Sequence, residues 1–255
     1  MLAANILNIW ILAAQLSSDP ARAVAELQAA IRAEPSKESN YTDLGNVLLS
    51  TQNFTEAIVV LEHARSRFPE SAQAALSLGV AYYGSRRFSD AVGAFLDANR
   101  LAPDVEQPVM FLGRIFEHAG PRESDVIAAF HAYSKANPTS ALGHFLLGKA
   151  SGDEVELRRS LALSPNPETH FELGLLLEKQ NKLPQAALEL ERSCTLAPRN
   201  PIPHYRLFRL YSRLGQTTKA ESHRLLHEKL TAAEKAEADK RQAATKHLKL
   251  KVQQP

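Results

Sequence analysis

Residues 38–71 read ESNYTDLGNVLLSTQNFTEAIVVLEHARSRFPES, and residues 72–105 read AQAALSLGVAYYGSRRFSDAVGAFLDANRLAPDV. Set one above the other, the two stretches match in phase. Leu44-Gly45 falls over Leu78-Gly79, Leu48 over Tyr82, Phe54 over Phe88, Ala57 over Ala91, Leu61 over Phe95, Ala64 over Ala98 and Pro69 over Pro103. An internal repeat of this length marks a stacked array, in which each unit buries its apolar face against its neighbours.

The same beat runs outward in both directions. Prolines close successive segments at Pro35, Pro69, Pro103, Pro138, Pro165 and Pro198, at intervals of 34, 34, 35, 27 and 33 residues. Leu-Gly pairs keep time with them at Leu112-Gly113, Leu147-Gly148 and Leu173-Gly174, and Leu207-Phe208 takes the next place. Between pair and proline come a turn and then a small residue followed four positions later by a large apolar one: Ala57 and Leu61, Ala91 and Phe95, Val126 and Phe130, Ala186 and Leu190. That spacing is helical, so each unit reads as two antiparallel helices. Glycine on the first helix and alanine on the second remove bulk where the backbones cross, letting the larger residues interlock. A helical glycine costs about 0.5–1 kcal/mol against alanine, so its return in five repeats implies close packing as compensation.

These residues resemble the tetratricopeptide repeat family, whose pattern places an aromatic, Leu-Gly and Tyr on the first helix and Ala, Phe and Pro on the second. Tyr41, Leu44-Gly45, Leu48, Phe54, Ala57, Leu61, Ala64 and Pro69 carry the likeness in one repeat. Leu78-Gly79, Tyr82, Phe88, Ala91, Phe95, Ala98 and Pro103 carry it in the next. The resemblance implies an all-α fold, an alpha-alpha superhelix of repeats over residues 19–230, drawn as 4–37, 38–71, 72–105, 106–140, 141–167, 168–200 and 201–230. An apolar segment, 1–18, precedes the array and a charged helical tail, 231–255, follows it.

Departures from the pattern are informative. The fifth repeat is seven residues short, which predicts the loss of about one turn from each of its helices and a local change of superhelix curvature. Ser151-Gly152-Asp153-Glu154 supplies its turn, with Ser151 and Asp153 as candidate N-caps. The fourth repeat carries one extra residue in a Gly120-Pro121-Arg122 turn, and the first has Trp10-Ile11 where Leu-Gly would fall. Past Leu230 the apolar stripe stops, and Glu237 and Arg241 are spaced to pair along a polar helix.

Composition fits this reading and bounds the partners. At 255 residues the chain is larger than a typical single domain. A hydrophobic share of 44% with 7% aromatics suits closely packed helices. Thirty basic and 28 acidic residues give +2, no global field to draw in nucleic acid or an anionic membrane, so partners are recognised locally and no nucleic acid is expected. Lys240, Arg241, Lys246, Lys249 and Lys251 form a basic run without aromatic interleaving, read as a solvated helix end. The single Cys194 cannot make an internal disulfide or a CxxC site. Residues 2–14, LAANILNIWILAA, are too short to span a bilayer. They read either as a buried first repeat helix, with a cytoplasmic protein, or as an export segment lacking a basic start, with a periplasmic one.

No phosphate loop, HExxH, GxSxG or CxxC string occurs, so the chain is expected to be no enzyme and to need no cofactor. His144, His170 and His204 recur three residues before a leucine in successive repeats. First helices of neighbouring repeats lie too far apart for three such rings to share a metal at about 2.0–2.1 Å, so they read as imidazoles in a slot the family gives to an aromatic.

By the same resemblance, ligands lie in a concave groove lined by the first helices. The residues after those histidines, Phe145, Phe171 and Tyr205, then face the groove, with Arg114, Lys149 and Arg209 on the same side and Lys179 and Arg213 one turn farther on. Aromatic anchors beside basic donors suit an extended protein or peptide segment with apolar and acidic side chains. The carboxylate clamp of chaperone-binding members is matched at Asn46 but not at Thr42, Ser77, Gln107 or Phe111. The asparagine ladder of sugar-transferase superhelices fails at Asp43, Ser77, Phe111, Leu146, Glu172 and Arg206. The expected function is a non-catalytic interaction scaffold. The alternatives are an exported assembly factor and a regulatory subunit of a separate enzyme.

Overall fold

The structure, a computed structural model, describes residues 19–252, with side chains through 243. The apolar segment with Trp10-Ile11, and with it the choice between repeat helix and export segment, lies outside the described residues, as do the side chains of Lys246, Lys249 and Lys251. Thirteen α-helices and no strand occur among the described residues. They are α1 (Pro20–Ala33), α2 (Glu38–Ser50), α3 (Phe54–Arg67), α4 (Ala72–Gly84), α5 (Phe88–Leu101), α6 (Glu106–Arg114) and α7 (Glu123–Ala136). There follow α8 (Ala141–Ser151), α9 (Glu154–Leu163), α10 (Pro167–Lys179), α11 (Leu183–Leu196), α12 (Pro201–Arg213) and α13 (Thr217–Val252). The chain forms two compact units, Met1–Ser151 and Gly152–Pro255, dividing inside the turn of the fifth repeat.

Local chemistry sets the helix ends. Ser71 caps α4 by accepting from the Ala74 amide at 2.9 Å, Asn166 caps α10 through Thr169 at 2.8 Å, and Asn200 caps α12 through Ile202 at 3.0 Å. Pro167 and Pro201 occupy the first helical position, where no amide hydrogen is needed. The turn inside a hairpin is closed by a left-handed residue, at φ 60° in Gln52, 61° in Arg86 and 60° in Asn181. In each case the next amide reaches back five residues: Asn53 to Leu48 at 2.8 Å, Arg87 to Tyr82 at 2.9 Å, Lys182 to Leu177 at 2.9 Å. Gly215, at φ 70°, does the same work before Gln216 bonds Tyr211 at 2.9 Å. This is the 6→1 bond that satisfies a carbonyl at a helix C-terminus.

The hairpins close where the sequence places its small residues. Ala57, Leu61, Ala91, Phe95, Val126, Phe130, Ala186 and Leu190 are all at most 1% exposed. A Cβ on Gly45 would lie 2.5 Å from Leu61, one on Gly79 2.5 Å from Phe95, and one on Gly174 2.8 Å from Leu190. The fourth repeat differs: a Cβ on Gly113 would strike Leu146 of α8, in the next repeat, rather than its own second helix. In the first unit one buried cluster gathers Leu44, Leu48 and Leu61 and another Phe95, Leu112, Phe130 and Leu147, with the partly buried Val80 and Tyr82 packed against both. The second unit centres on Leu157, Leu173, Leu177, Leu190, Leu207 and Leu210, each at most 1% exposed.

Two expectations about the irregular repeats need correction. The fifth repeat does not lose one turn from each helix: α8 keeps 11 residues against 13 in α2, whereas α9 keeps 10 against 14 in α3. Ser151 is not an N-cap. It ends α8 and donates its hydroxyl to the Leu147 carbonyl at 2.6 Å, while Asp153 alone caps α9, accepting from Val155 at 2.8 Å. In the fourth repeat the irregularity is wider than the Gly120 turn. Helix α6 stops at Arg114 and the chain continues as 3-10 segments over Phe116–His118 and Gly120–Arg122. At the other end α13 does continue past Leu230 as a polar helix, with Glu237 and Arg241 paired at 3.4 Å.

Candidate functional site

Tyr41 and the three recurring histidines fill one slot of the repeat. Tyr41, 4% exposed, donates its hydroxyl to the Pro35 carbonyl at 3.0 Å. In the fifth repeat His144 reproduces that bond, its Nε2–H reaching the Pro138 carbonyl at 3.0 Å, which leaves Nδ1 to accept from the Ser134 hydroxyl at 3.1 Å. His170 directs Nδ1 to Glu189 Oε2 at 2.7 Å, and the other oxygen of Glu189 accepts from Arg192 at 2.8 Å. His204 places Nδ1 2.9 Å from Nδ1 of His223. All three rings are buried, and each has its own partner on a packed second helix, α7, α11 or α13.

The residues that follow those three rings differ in exposure. In the first unit Phe145 is half-buried against the core, with the ammonium of Lys149 5.8 Å from its ring centre. Arg114 is exposed and ends α6. In the second unit Phe171 is half-buried on α10, Lys179 is exposed at its end, and Tyr205, Arg209 and Arg213 stand one turn apart along α12, all exposed. Tyr205 is 42% exposed, its ring centre 6.4 Å from Phe208 and 5.3 Å from His227.

Side-to-side contacts between first helices lie along this face. Ser77 of α4 donates to Asn46 of α2 at 3.0 Å, so the one match to the carboxylate clamp is already engaged. Arg213 of α12 meets Glu178 of α10 at 3.0 Å, which neutralises one of the expected basic donors. Glu178 was not legible as part of the surface, because nothing in its spacing announces a bond 35 residues away. His227, which meets Tyr205 from α13, was missed for the same reason, whereas Phe208, three residues on along α12, was read only as a marker of the repeat.

A cleft of about 590 Å³ lies elsewhere on the first unit, lined by residues that include Arg65, Tyr82, Asp90, Gly93, Asp97 and Arg122. Its charges are matched internally: Arg65 with Asp97 at 3.5 Å, Arg87 with Asp90 at 2.7 Å, Arg122 with Asp125 at 3.7 Å. The Tyr82 hydroxyl donates to Glu62 at 2.6 Å, and burial together with that carboxylate pushes its pKa up to about 12. These groups brace helices and present no unmatched charge to a ligand. The Cys194 thiol is half-buried and pushed up to about 11, first by burial and then by the charge of Glu191, so it carries little thiolate near neutrality.

A family model described as Tetratricopeptide repeat matches residues 42–106, the two stretches whose hairpins are closed by Gly45 over Leu61 and Gly79 over Phe95. Those residues are tetratricopeptide repeats. Solved structures agree on the fold of this repeat protein. It is similar to YrrB, "a TPR protein with an unusual peptide-binding site", at TM-score 0.58 and 14% identity, over 71% of this chain and 96% of that one. It is similar to pilF of Pseudomonas aeruginosa at TM-score 0.56 and 20% identity, over 76% and 91%. The APC/C hetero-tetramer Cut9-Hcn1 matches at TM-score 0.55 and 16% identity, over 85% of this chain and 44% of that one. At such identities the likeness is one of fold. No curated protein sequence matches the chain significantly. Tetratricopeptide arrays are in general protein-interaction scaffolds, and the fold suggests that coarse role for this chain. No helix among the described residues is long and apolar enough to cross a membrane.

Proposed function

We propose that the first-helix face of the second unit, Phe171 and Lys179 on α10 with Tyr205, Arg209 and Arg213 on α12, binds an extended peptide of a partner protein. That peptide carries apolar or aromatic side chains beside acidic ones. The observation that carries the reading is Tyr205: a large ring left 42% exposed, flanked by Phe208 and His227 and one turn from Arg209. An exposed aromatic held by neighbours is pre-ordered as a binding anchor and loses little side-chain freedom when covered. Arg114, Phe145 and Lys149 form a second surface of the same make-up on the first unit. The described peptide-binding site of YrrB, a protein of the same fold, is in keeping with this use of the scaffold. The chain acts here by binding alone.

The test uses peptides selected from a random phage-displayed library on the full chain, then titrated by fluorescence anisotropy. Selected peptides are expected to be enriched in apolar and acidic residues. The Phe171→Ala/Tyr205→Ala variant should bind them at least tenfold more weakly, about 1.4 kcal/mol. Because Phe171 is half-buried, Tyr205→Ala alone serves as the variant that leaves the melting temperature unchanged. Unchanged affinity in both variants would move the site off this face.

A further inference from the structure

The last hairpin of the second unit is closed by a contact that the other described hairpins do not share. His204 of α12 and His223 of α13 meet Nδ1 to Nδ1 at 2.9 Å, ring centres 5.2 Å apart, and the His223 ring also stacks on Tyr211 at 5.7 Å. His204 is 7% exposed. Such a bond needs a proton on one nitrogen and a lone pair on the other. It exists when one Nδ1 carries hydrogen and the other does not, and is lost when both do. The equivalent ring in the preceding repeat, His170, faces the carboxylate of Glu189 instead.

We propose that the His204–His223 pair is an acid-opened latch: protonation of the pair in mildly acidic solution breaks its hydrogen bond and detaches the first turns of α13 from α12, while the α10–α11 hairpin stays closed. The groups around the pair favour opening. On α13 stand Lys219 and His227, the latter bonded through Nδ1 to the Pro201 carbonyl at 3.1 Å. On α12 stands Tyr211. The carboxylate that faces the pair comes from α11, Glu191, and it is already engaged: it accepts the Tyr211 hydroxyl at 2.5 Å and lies 3.9 Å from Lys219. Burial, then the nearby imidazoles of His223 and His227, hold His204 below the ordinary histidine value; burial, partly offset by Glu191 and reinforced by Lys219, does so for His223. With both values depressed in the folded hairpin, the opened chain binds more protons as pH falls below about 6.5. The latch is therefore fully closed above that pH and weakens as pH drops toward the lower folded values. Opening uncovers the buried Leu207, Leu210 and Tyr211. It also frees the ring of Tyr205 from His227.

Hydrogen exchange of the full chain, followed by mass spectrometry and corrected for the intrinsic pH dependence of exchange, tests this. Between pH 7 and pH 5 the protection of segment 201–230 should fall at least tenfold, while 167–196 keeps its protection. In His223→Asn, whose amide can replace the imidazole hydrogen bond without taking up a proton, the fall should shrink at least threefold, because of the two rings only the buried His204 is left to take up a proton. Unchanged protection of 201–230, or an equal fall in His223→Asn, would overturn the latch. A wild-type measurement stands beside the variant: the imidazole NMR signals of His204 and His223 should both titrate below pH 6.5, and a midpoint at or above 6.5 for either contradicts the proposal.

Discussion

At Gly79 the absent side chain makes room for the ring of Phe95, which lies parallel to Phe111 with centres 4.8 Å apart. Gly79→Ala gains helix propensity but drives a methyl group to 2.5 Å from a fully buried ring, and the clash wins. A net loss of about 1–3 kcal/mol is expected in urea unfolding. Adding Phe95→Leu should recover part of it, and the coupling in that double-mutant cycle should be favourable. Ala91→Leu, at 0% exposure, should likewise cost about 1–3 kcal/mol, against almost nothing for Ala243→Leu on the exposed end of α13. These positions were legible in the sequence because small residues recur in phase with large ones. Gln52, Arg86 and Asn181 were not. A hairpin turn requires a left-handed residue, but the penalty for a side chain there is only about 1–2 kcal/mol, so the sequence need not advertise it with glycine. Arg86→Gly should accordingly not destabilise the fold, despite glycine's greater freedom when unfolded.

Among the elements, the fifth repeat shows where spacing stops being informative. A short interval between Pro138 and Pro165 states how many residues are missing but not which helix lost them, and the packing took most of the loss from α9. Cap chemistry was half legible for a related reason: Ser151 and Asp153 both satisfy the residue preference, but only Asp153 has extended backbone, at φ −90° and ψ 109°, with Val155 in reach. Asp153→Ala should therefore cost about 1 kcal/mol in thermal melting, whereas Ser151→Ala should be nearly neutral, since its bond only doubles one the helix makes itself. The same limit hid the early end of α6, whose 9 residues give way to 3-10 turns before Gly120. At the far end, residues 231–243 of α13 are exposed throughout, so a chain ending at Leu230 should keep its melting temperature while losing helical circular dichroism in proportion.

For the molecule as a whole, periodicity made the helical repeat array legible, and far-ultraviolet circular dichroism should show a predominantly helical protein. The candidate surface was legible only as residue types in recurring slots, because which charges remain available depends on contacts between helices. Arg213, engaged by Glu178 at 3.0 Å, should matter less to an acidic partner than Arg209. Removing Arg209 should flatten the salt dependence of peptide association more than removing Arg213. The claim that the first-helix face binds is tested most directly by hydrogen exchange on the full chain with and without a saturating library-selected peptide at pH 7. The account predicts added protection in segments 167–179 and 201–213. Protection confined to the second helices, 183–196 and 217–230, or to the helix beyond 231, would contradict it.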